Sequence, residues 1–449
     1  MLSSDIGSPL PKFEALRLWL LVTAWLSALL MKFFGLSVHG FTIFGVICFL
    51  LFAVMTLPRL RWDSLVILAG MIALTFLLLP KMPSMEALLG AIEYVLIFAA
   101  LLPTMALVKA TAMTMPSVHL SQKNLASLPS AASVSGFQIT SHVFGGIINT
   151  GTFAILSAVL PPDAAEGDRR AAAEAAIRGM ATSAAWSPFF VGFAVGQSFV
   201  EPHYAWMAIG FGVFVALLFM ACSLPLINRD FSHRQVGMAI ACLRPVASRL
   251  AFVFGCVIAT ALIFKLTALA AVVCTMPWLV ALQMARKPAT IPHIFQQTKI
   301  ALANIADDLI IISAAMIVAF LVNRYNNIGE MMQLFYPEML PGWVALIGTP
   351  LVVTLASVFG IHPVISTTGL LTIFSGGGAD VHPALLVEAH LIAWGAGAMA
   401  SIASLSVIST SGLFKVPTHK LAFGKNILIA FTYALGGGIV LTLLNTLMW

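Results

Sequence analysis

Long apolar runs follow one another along this chain with almost no charge inside them, and that pattern constrains the fold more than any motif. Charged residues are 9% of the 449 and apolar residues 60%. A soluble domain carries about 25% charged residues, so most of this surface must meet lipid. One crossing takes about 20 apolar residues. Eleven runs fit: 15–34, 40–57, 64–80, 87–108, 175–200, 204–226, 250–264, 266–284, 303–323, 384–412 and 426–447. The predicted class is an all-α polytopic membrane protein of about 11 transmembrane helices, with no large soluble domain. The first run has basic flanks but no small-x-small cleavage site, and a second span follows at once, so a retained helix is expected.

Two further apolar stretches, 134–160 and 342–379, are interrupted by polar patches, Asn149-Thr150-Gly151-Thr152 and Ser366-Thr367-Thr368-Gly369. At about 27 and 38 residues, each fits a re-entrant hairpin that enters and leaves on one face. Irregular backbone at that depth is tolerated only where protein or a cavity surrounds it. Counting hairpins as no crossing puts 19 of the 23 Lys and Arg residues on one side. Lys32, Lys81, Lys265 and Arg324 fall on the other. The positive-inside rule then predicts a multi-pass inner-membrane protein with its N-terminus cytoplasmic and its C-terminus outside. The net charge of +6 sits in these loops and sets topology, so no nucleic-acid partner is expected.

The chain repeats itself. Gly179-Met180-Ala181-Thr182-Ser183-Ala184-Ala185-Trp186-Ser187 matches Ala398-Met399-Ala400-Ser401-Ile402-Ala403-Ser404-Leu405-Ser406. Upstream, Asn149-Thr150-Gly151 matches Thr367-Thr368-Gly369 at similar spacing, and His142 and His362 precede these patches. The expected organisation is an N-terminal helix (1–38), a first repeat (39–227, hairpin 134–160), a basic cytoplasmic linker (228–249) and a second repeat (250–449, hairpin 342–379). Each repeat holds five crossings and a hairpin. Five is odd, which inverts one repeat relative to the other. Inverted repeats with broken helices mark secondary transporters.

Run 175–200 contains Pro188, which removes a backbone donor and clashes with the carbonyl four residues back. Its counterpart, 384–412, has no such proline but is dense in Ser and Thr. Two broken helices are therefore predicted. Hairpin tips and half-helix N-termini present unpaired N–H groups that suit an anion. The expected substrate site gathers Asn149, Thr150, Thr152, Ser183, Ser187, Thr367, Thr368, Ser401 and Ser404, with no Lys or Arg close by.

Asn149-Thr150-Gly151-Thr152-Phe153-Ala154-Ile155-Leu156 resembles the Ser-Asn-Thr hairpin-tip motif of the divalent anion–sodium symporters. The block Gly179–Pro188 is similar to the broken fifth helix of that family and its relatives in the ion transporter superfamily, the citrate symporters and arsenite exporters. The resemblance implies an elevator-type carrier whose substrate and coupling ions bind between two tips and two breaks. The chain departs from the family pattern at Ile148, where Ser is expected, and at Thr367, where Asn is expected. It also lacks the Gly-Thr-Pro-Pro-Asn element after the break. Those departures point away from sodium.

Carboxylates inside a membrane are costly and kept for function. Glu388, Asp307 and Asp308 are the candidates for proton coupling, although each is near enough to a predicted interface to snorkel. The leading expectation is a proton-coupled secondary transporter of a small organic or inorganic anion across the inner membrane. A cation–proton antiporter on the same scaffold is the alternative. A polytopic glycan polymerase or ligase ranks lower, because the external loops are short and poor in Arg. The chain is not expected to be an enzyme. No cofactor or metal is expected: Cys48, Cys222, Cys242, Cys256 and Cys274 form no CxxC or Cys/His cluster. The partners expected are a small-molecule substrate, a coupling ion and the lipid bilayer, and a homodimer is left open.

Overall fold

The computed structural model describes residues 12–34, 39–79, 81–227, 231–325 and 340–448. Arg229 of the basic linker lies outside the described residues. The helices are α1 (Lys12–Phe34), α2 (His39–Thr56), α3 (Trp62–Leu78), α4 (Met85–Ala112), α5 (Pro116–Ala126), α6 (Ser130–Ile148) and α7 (Gly151–Ser157). Next come α8 (Glu166–Ser183), α9 (Val191–Gln197), α10 (Pro202–Ile227), α11 (His233–Ala241), α12 (Arg244–Phe264), α13 (Ala268–Arg286), α14 (Ile291–Asn304) and α15 (Ala306–Tyr325). The chain ends with α16 (Gly342–Val358), α17 (Pro363–Ile373), α18 (Pro383–Ala400), α19 (Leu405–Phe414), α20 (Thr418–Ala422) and α21 (Lys425–Met448).

Among the described residues eight spans are long and apolar enough to cross a membrane, and the pair α14–α15, bent by 52°, adds a ninth if read as one. The chain is an all-α polytopic membrane protein. The difference from the eleven predicted runs has local causes. Run 64–80 forms a helix of 17 residues, and run 175–200 is divided between α8 and α9 by a break.

The chain divides into two compact units, Met1–Leu107 with Pro288–Val322, and Val108–Lys287 with Asn323–Trp449. Segments from both halves of the chain contribute to both units. In the first, α1 and α2 pack closely: a methyl at Gly45 would meet the Ser27 Cβ at 2.9 Å. Trp25 Nε1 donates to Thr104 Oγ1 at 3.1 Å, and Tyr94 packs on Phe320 with centroids 5.3 Å apart. Asp307 accepts from the Arg61 backbone N–H and from Ser64 Oγ, both at 3.0 Å. A carboxylate placed there satisfies donors at the N-terminus of α3 and complements its dipole, a structural task.

The second unit holds the hairpins and the broken helices. Hairpin α6–α7 packs on α8. Hairpin α16–α17 begins and ends at one place: Leu340 N donates to Gly378 O at 3.1 Å, and Asp380 N donates to Leu340 O at 3.0 Å. A segment whose ends are bonded together does not cross. Its position agrees with the predicted 342–379, but its turn does not. The patch Ser366–Gly369 lies inside α17, where Thr367 Oγ1 donates to Pro363 O at 2.6 Å. The chain reverses instead between Phe359 and His362, with Gly360 at φ 84°. Pro363 then opens α17, where its missing N–H costs nothing.

Candidate functional site

Two helices are broken, each by different chemistry. After α8, Pro188 has no N–H to offer, and Phe189 N donates to Ser187 Oγ at 3.2 Å instead of closing a helical turn. The Ser187 hydroxyl in turn donates to the Gly146 carbonyl of hairpin helix α6. After α18 the break uses serines alone. Ser401, in an extended conformation, accepts from Ala403 N at 3.2 Å. Ser404 Oγ accepts from Val407 N at 3.2 Å and donates back to Ala398 O at 2.7 Å, bridging the two half-helices. Side-chain oxygens here replace backbone partners, as at any helix N-cap.

Hairpin α6–α7 meets the first break through small residues. A methyl at Gly145 would come within 3.1 Å of Ser183 Oγ, and one at Gly146 within 2.6 Å of the Trp186 ring. At the tip, Asn149 takes φ 51°, a conformation Asn tolerates better than most residues. The Asn149 and Thr150 side chains, half-buried, make no hydrogen bond among the described residues. The Thr152 and Thr368 hydroxyls are buried and equally unpartnered. Ser183 Oγ is satisfied within its own helix by Met180 O at 2.7 Å.

The two hairpins and the two broken helices pack crosswise. α19, the second half of one broken helix, packs on α7 of the first hairpin, and α9 packs on α17 of the second. The broken helices touch where a methyl at Gly395 would sit 2.4 Å from Ala181 O. Asn149, Thr150, Thr152, Ser183 and Ser187 thus share one neighbourhood, around α6, α7 and the first break. Ser401 and Ser404 lie at the second break, ahead of α19, which packs on α7. Thr367 and Thr368 lie inside α17, not at a tip, and α17 packs on α9. No hydrogen bond joins Asn149 or Thr150 to Thr367 or Thr368 among the described residues. Asp307 and Asp308 belong to the other compact unit.

Histidine positions differ too. His142 lies within α6 and accepts from Trp186 Nε1 at 3.1 Å through Nε2, which leaves the proton on Nδ1, facing Gly179 O at 3.3 Å and Thr182 Oγ1 at 3.1 Å. His362 instead caps α17, with Nδ1 accepting from Val364 N at 3.2 Å. The two are not equivalent.

Sequence reading missed two cations. Arg178, at the start of run 175–200, is 1% exposed and donates to Asn426 Oδ1 at 2.9 Å and Gln138 Oε1 at 3.2 Å, with Glu174 4.0 Å away. It joins α8 to α6 and α21. Lys109 lies along Gly151: a methyl there would meet its Cγ at 2.8 Å. A lone Gln in an apolar hairpin helix and a lone Asn opening a span were the available signals. An apolar cavity of about 100 Å³ among α4, α5, α6, α12 and α13 reaches Ile148, beside the tip. No cluster of three metal-ligating side chains occurs among the described residues.

No family model matches the sequence, and no curated protein matches it. Among solved structures, the chain is similar to the crystal structure of the Alcanivorax borkumensis YdaH transporter, described as having an unusual topology. The likeness has a TM-score of 0.43 at 12% identity and covers 98% of this chain and 99% of that one.

Proposed function

We propose that this chain is a secondary transporter of a small anion across the inner membrane, coupled to protons and working by alternating access of an elevator type. The observation that carries the reading is the crosswise packing of two hairpins on two broken helices. The unbonded side chains of Asn149 and Thr150 lie at the first tip, within a few residues of the Ser187 bond. Broken helices supply N–H groups and hydroxyls where an anion can be held without burying a full positive charge, and Lys109 adds a cation at the margin of the tip. The two halves are read as inverted, with the N-terminus cytoplasmic and the C-terminus outside. Proton coupling is favoured because the sodium-site elements of the symporters are incomplete at Ile148 and Thr367.

The test is uptake into proteoliposomes of radiolabelled mono-, di- and tricarboxylates, sulfate and phosphate, under an imposed pH gradient or an imposed sodium gradient. At least one anion should accumulate when driven by the pH gradient, and Asn149→Ala should weaken that accumulation about 10-fold, the loss of one to two polar contacts, with an unchanged melting profile. Uptake that needs sodium and ignores the pH gradient would overturn the coupling. Dissipation of the gradient by added cations alone would favour the antiporter.

A further inference from the structure

Glu388 in α18 is fully buried, and neither carboxyl oxygen has a hydrogen-bond partner among the described residues. An ionised carboxylate taken out of water costs several kcal/mol unless it is paired, so this residue needs an explanation that packing does not give. Its position supplies one. A methyl at Gly212 of α10 would lie 2.1 Å from the Ala185 carbonyl oxygen and 2.9 Å from Glu388 Oε2. Carboxyl and carbonyl therefore converge on the same small space, kept open by the glycine. Ala185 belongs to the first break. Its carbonyl accepts no hydrogen bond among the described residues, because Phe189 N, the donor that would close the turn, goes to Ser187 Oγ.

The helices packed against α18 bring few groups that could answer the charge of Glu388. From α21, Tyr433 lies against α18 at Gly395, where a methyl would meet its ring at 3.5 Å, and its hydroxyl is buried and unpartnered. On α18 itself, His390 Nε2 is 2.8 Å from Gly192 O and so donates to it, which in the neutral ring makes Nδ1, buried and unpartnered, an acceptor. From α8, Arg178 and Glu174 are engaged with each other, with Arg170 and with Gln138 and Asn426. From α17, His362 caps its own helix. At the far end of α10, His203 faces Glu201 and Tyr204 faces His382. Helices α9, α16 and α19 carry no ionisable side chain. Lys425, at the start of α21, is exposed, and Arg169 lies in the first turns of α8, about four turns before Ala185; among the described residues no buried cation on these helices is free for the carboxylate.

Two acceptors that face each other repel unless one carries a proton. We propose that Glu388 is the proton-binding site of this protein, a neutral acid whose O–H donates to the Ala185 carbonyl, so that the bound proton ties the second broken helix to the break of the first. The inference rests on the transport reading for its purpose and not for its chemistry. On release, the O–H bond breaks, the proton passes to water, and a carboxylate is left against a carbonyl. The first break must then shift. Tyr433, whose hydroxyl can donate to the carboxylate but not to a second acceptor at once, is a positioning residue.

The proton itself is the probe. Infrared difference spectra of the full-length protein in liposomes, recorded across a pH series in H₂O and D₂O without sodium, should show a carboxylic-acid C=O band. That band should be lost in Glu388→Gln, whose amide still donates to Ala185 O and so preserves folding by thermal melt. Tyr433→Phe should keep the band and move its midpoint pH. Identical spectra for wild type and Glu388→Gln would overturn the proposal, as would loss of the band on adding sodium chloride at fixed pH, which would make the site one for a metal cation. In the uptake assay, Glu388→Gln should lose accumulation driven by a pH gradient while retaining exchange of labelled for unlabelled anion. If no anion is carried but the band is present and lost in Glu388→Gln, the transport reading fails and the proton site stands.

Discussion

Ser187 Oγ donates to the Gly146 carbonyl, so the break after α8 is held to hairpin helix α6 less than one turn before its tip. One hydroxyl serves two elements, because the same oxygen accepts from Phe189 N. Any motion of the hairpin is thereby felt in the break. Two structures that sequence reading treats separately, a tip and an unwound turn, are mechanically one.

That bond sets a first expectation. Ser187→Ala leaves a buried N–H and a buried carbonyl without partners, at a cost of about 1–3 kcal/mol. The melting temperature in detergent should fall, whereas Ser127→Ala, outside the break, exposed and bonded back to Asn124 O within its own turn, should change it little. Equal shifts for the two would show that the tie does not hold the break.

Close backbone contact gives a second. At Gly179 a methyl would sit 2.1 Å from Gln138 O, and at Gly395 2.4 Å from Ala181 O. Backbone cannot swing aside as a side chain can, so Gly179→Ala and Gly395→Ala should each destabilise by about 1–3 kcal/mol or more, despite the better helix propensity of Ala. At Gly210 nothing lies within 4 Å, and Gly210→Ala should stabilise by about 0.5–1 kcal/mol. Thermal unfolding of the three variants side by side checks the sign reversal.

Arg178 gives a third. Its removal as Arg178→Ala leaves the buried Gln138 and Asn426 oxygens without their donor and takes one of two cations from Glu174, which keeps its bond from Arg170. Breaking such a network costs about 3–5 kcal/mol. Arg178→Lys should recover only part of that, because an ammonium cannot match the guanidinium fork that reaches α6 and α21 together. Full recovery in the lysine variant, read by thermal melt, would show that charge alone matters there.

Much of this architecture was legible in the residues, for reasons that can be named. Apolar runs report spans because lipid admits little else. Pro188 reports a break because a missing N–H is written directly in the sequence. The first tip was legible because Asn149-Thr150-Gly151 is polar where its surroundings are apolar. The second tip was misplaced for the same reason. Ser366 to Gly369 look like a tip, yet the Ser366 and Thr367 hydroxyls fold back on the Pro363 carbonyl of their own helix, and the true turn is written as Phe359-Gly360-Ile361-His362 before Pro363. A Gly at positive φ followed by an N-terminal Pro was the sounder signal. Arg178, at the start of run 175–200, was not singled out because nothing local says that Gln138 and Asn426, 40 and 248 residues away, come to meet it.

The last expectation concerns an ion pair outside the spans. Lys420 Nζ lies 2.6 Å from Glu166 Oε1, joining the polar start of α8 to α20, the short helix after the second broken helix. The ammonium, by donating to this carboxylate and by its charge, holds the Glu166 acid below its usual range. A group depressed in the folded state stabilises it above the unfolded value, near 4.3 for Glu, and loses that contribution as pH falls through the folded value. The difference in melting temperature between wild type and Glu166→Gln should therefore be flat near neutral pH and shrink on acidification through the carboxylate range. The pair is exposed and so screened, and about 1 M salt, where the Debye length is about 3 Å, should shrink the same difference at neutral pH. A difference that grows towards acid would mean that Glu166 is stabilised as the protonated form, and that Lys420 is not its partner in solution.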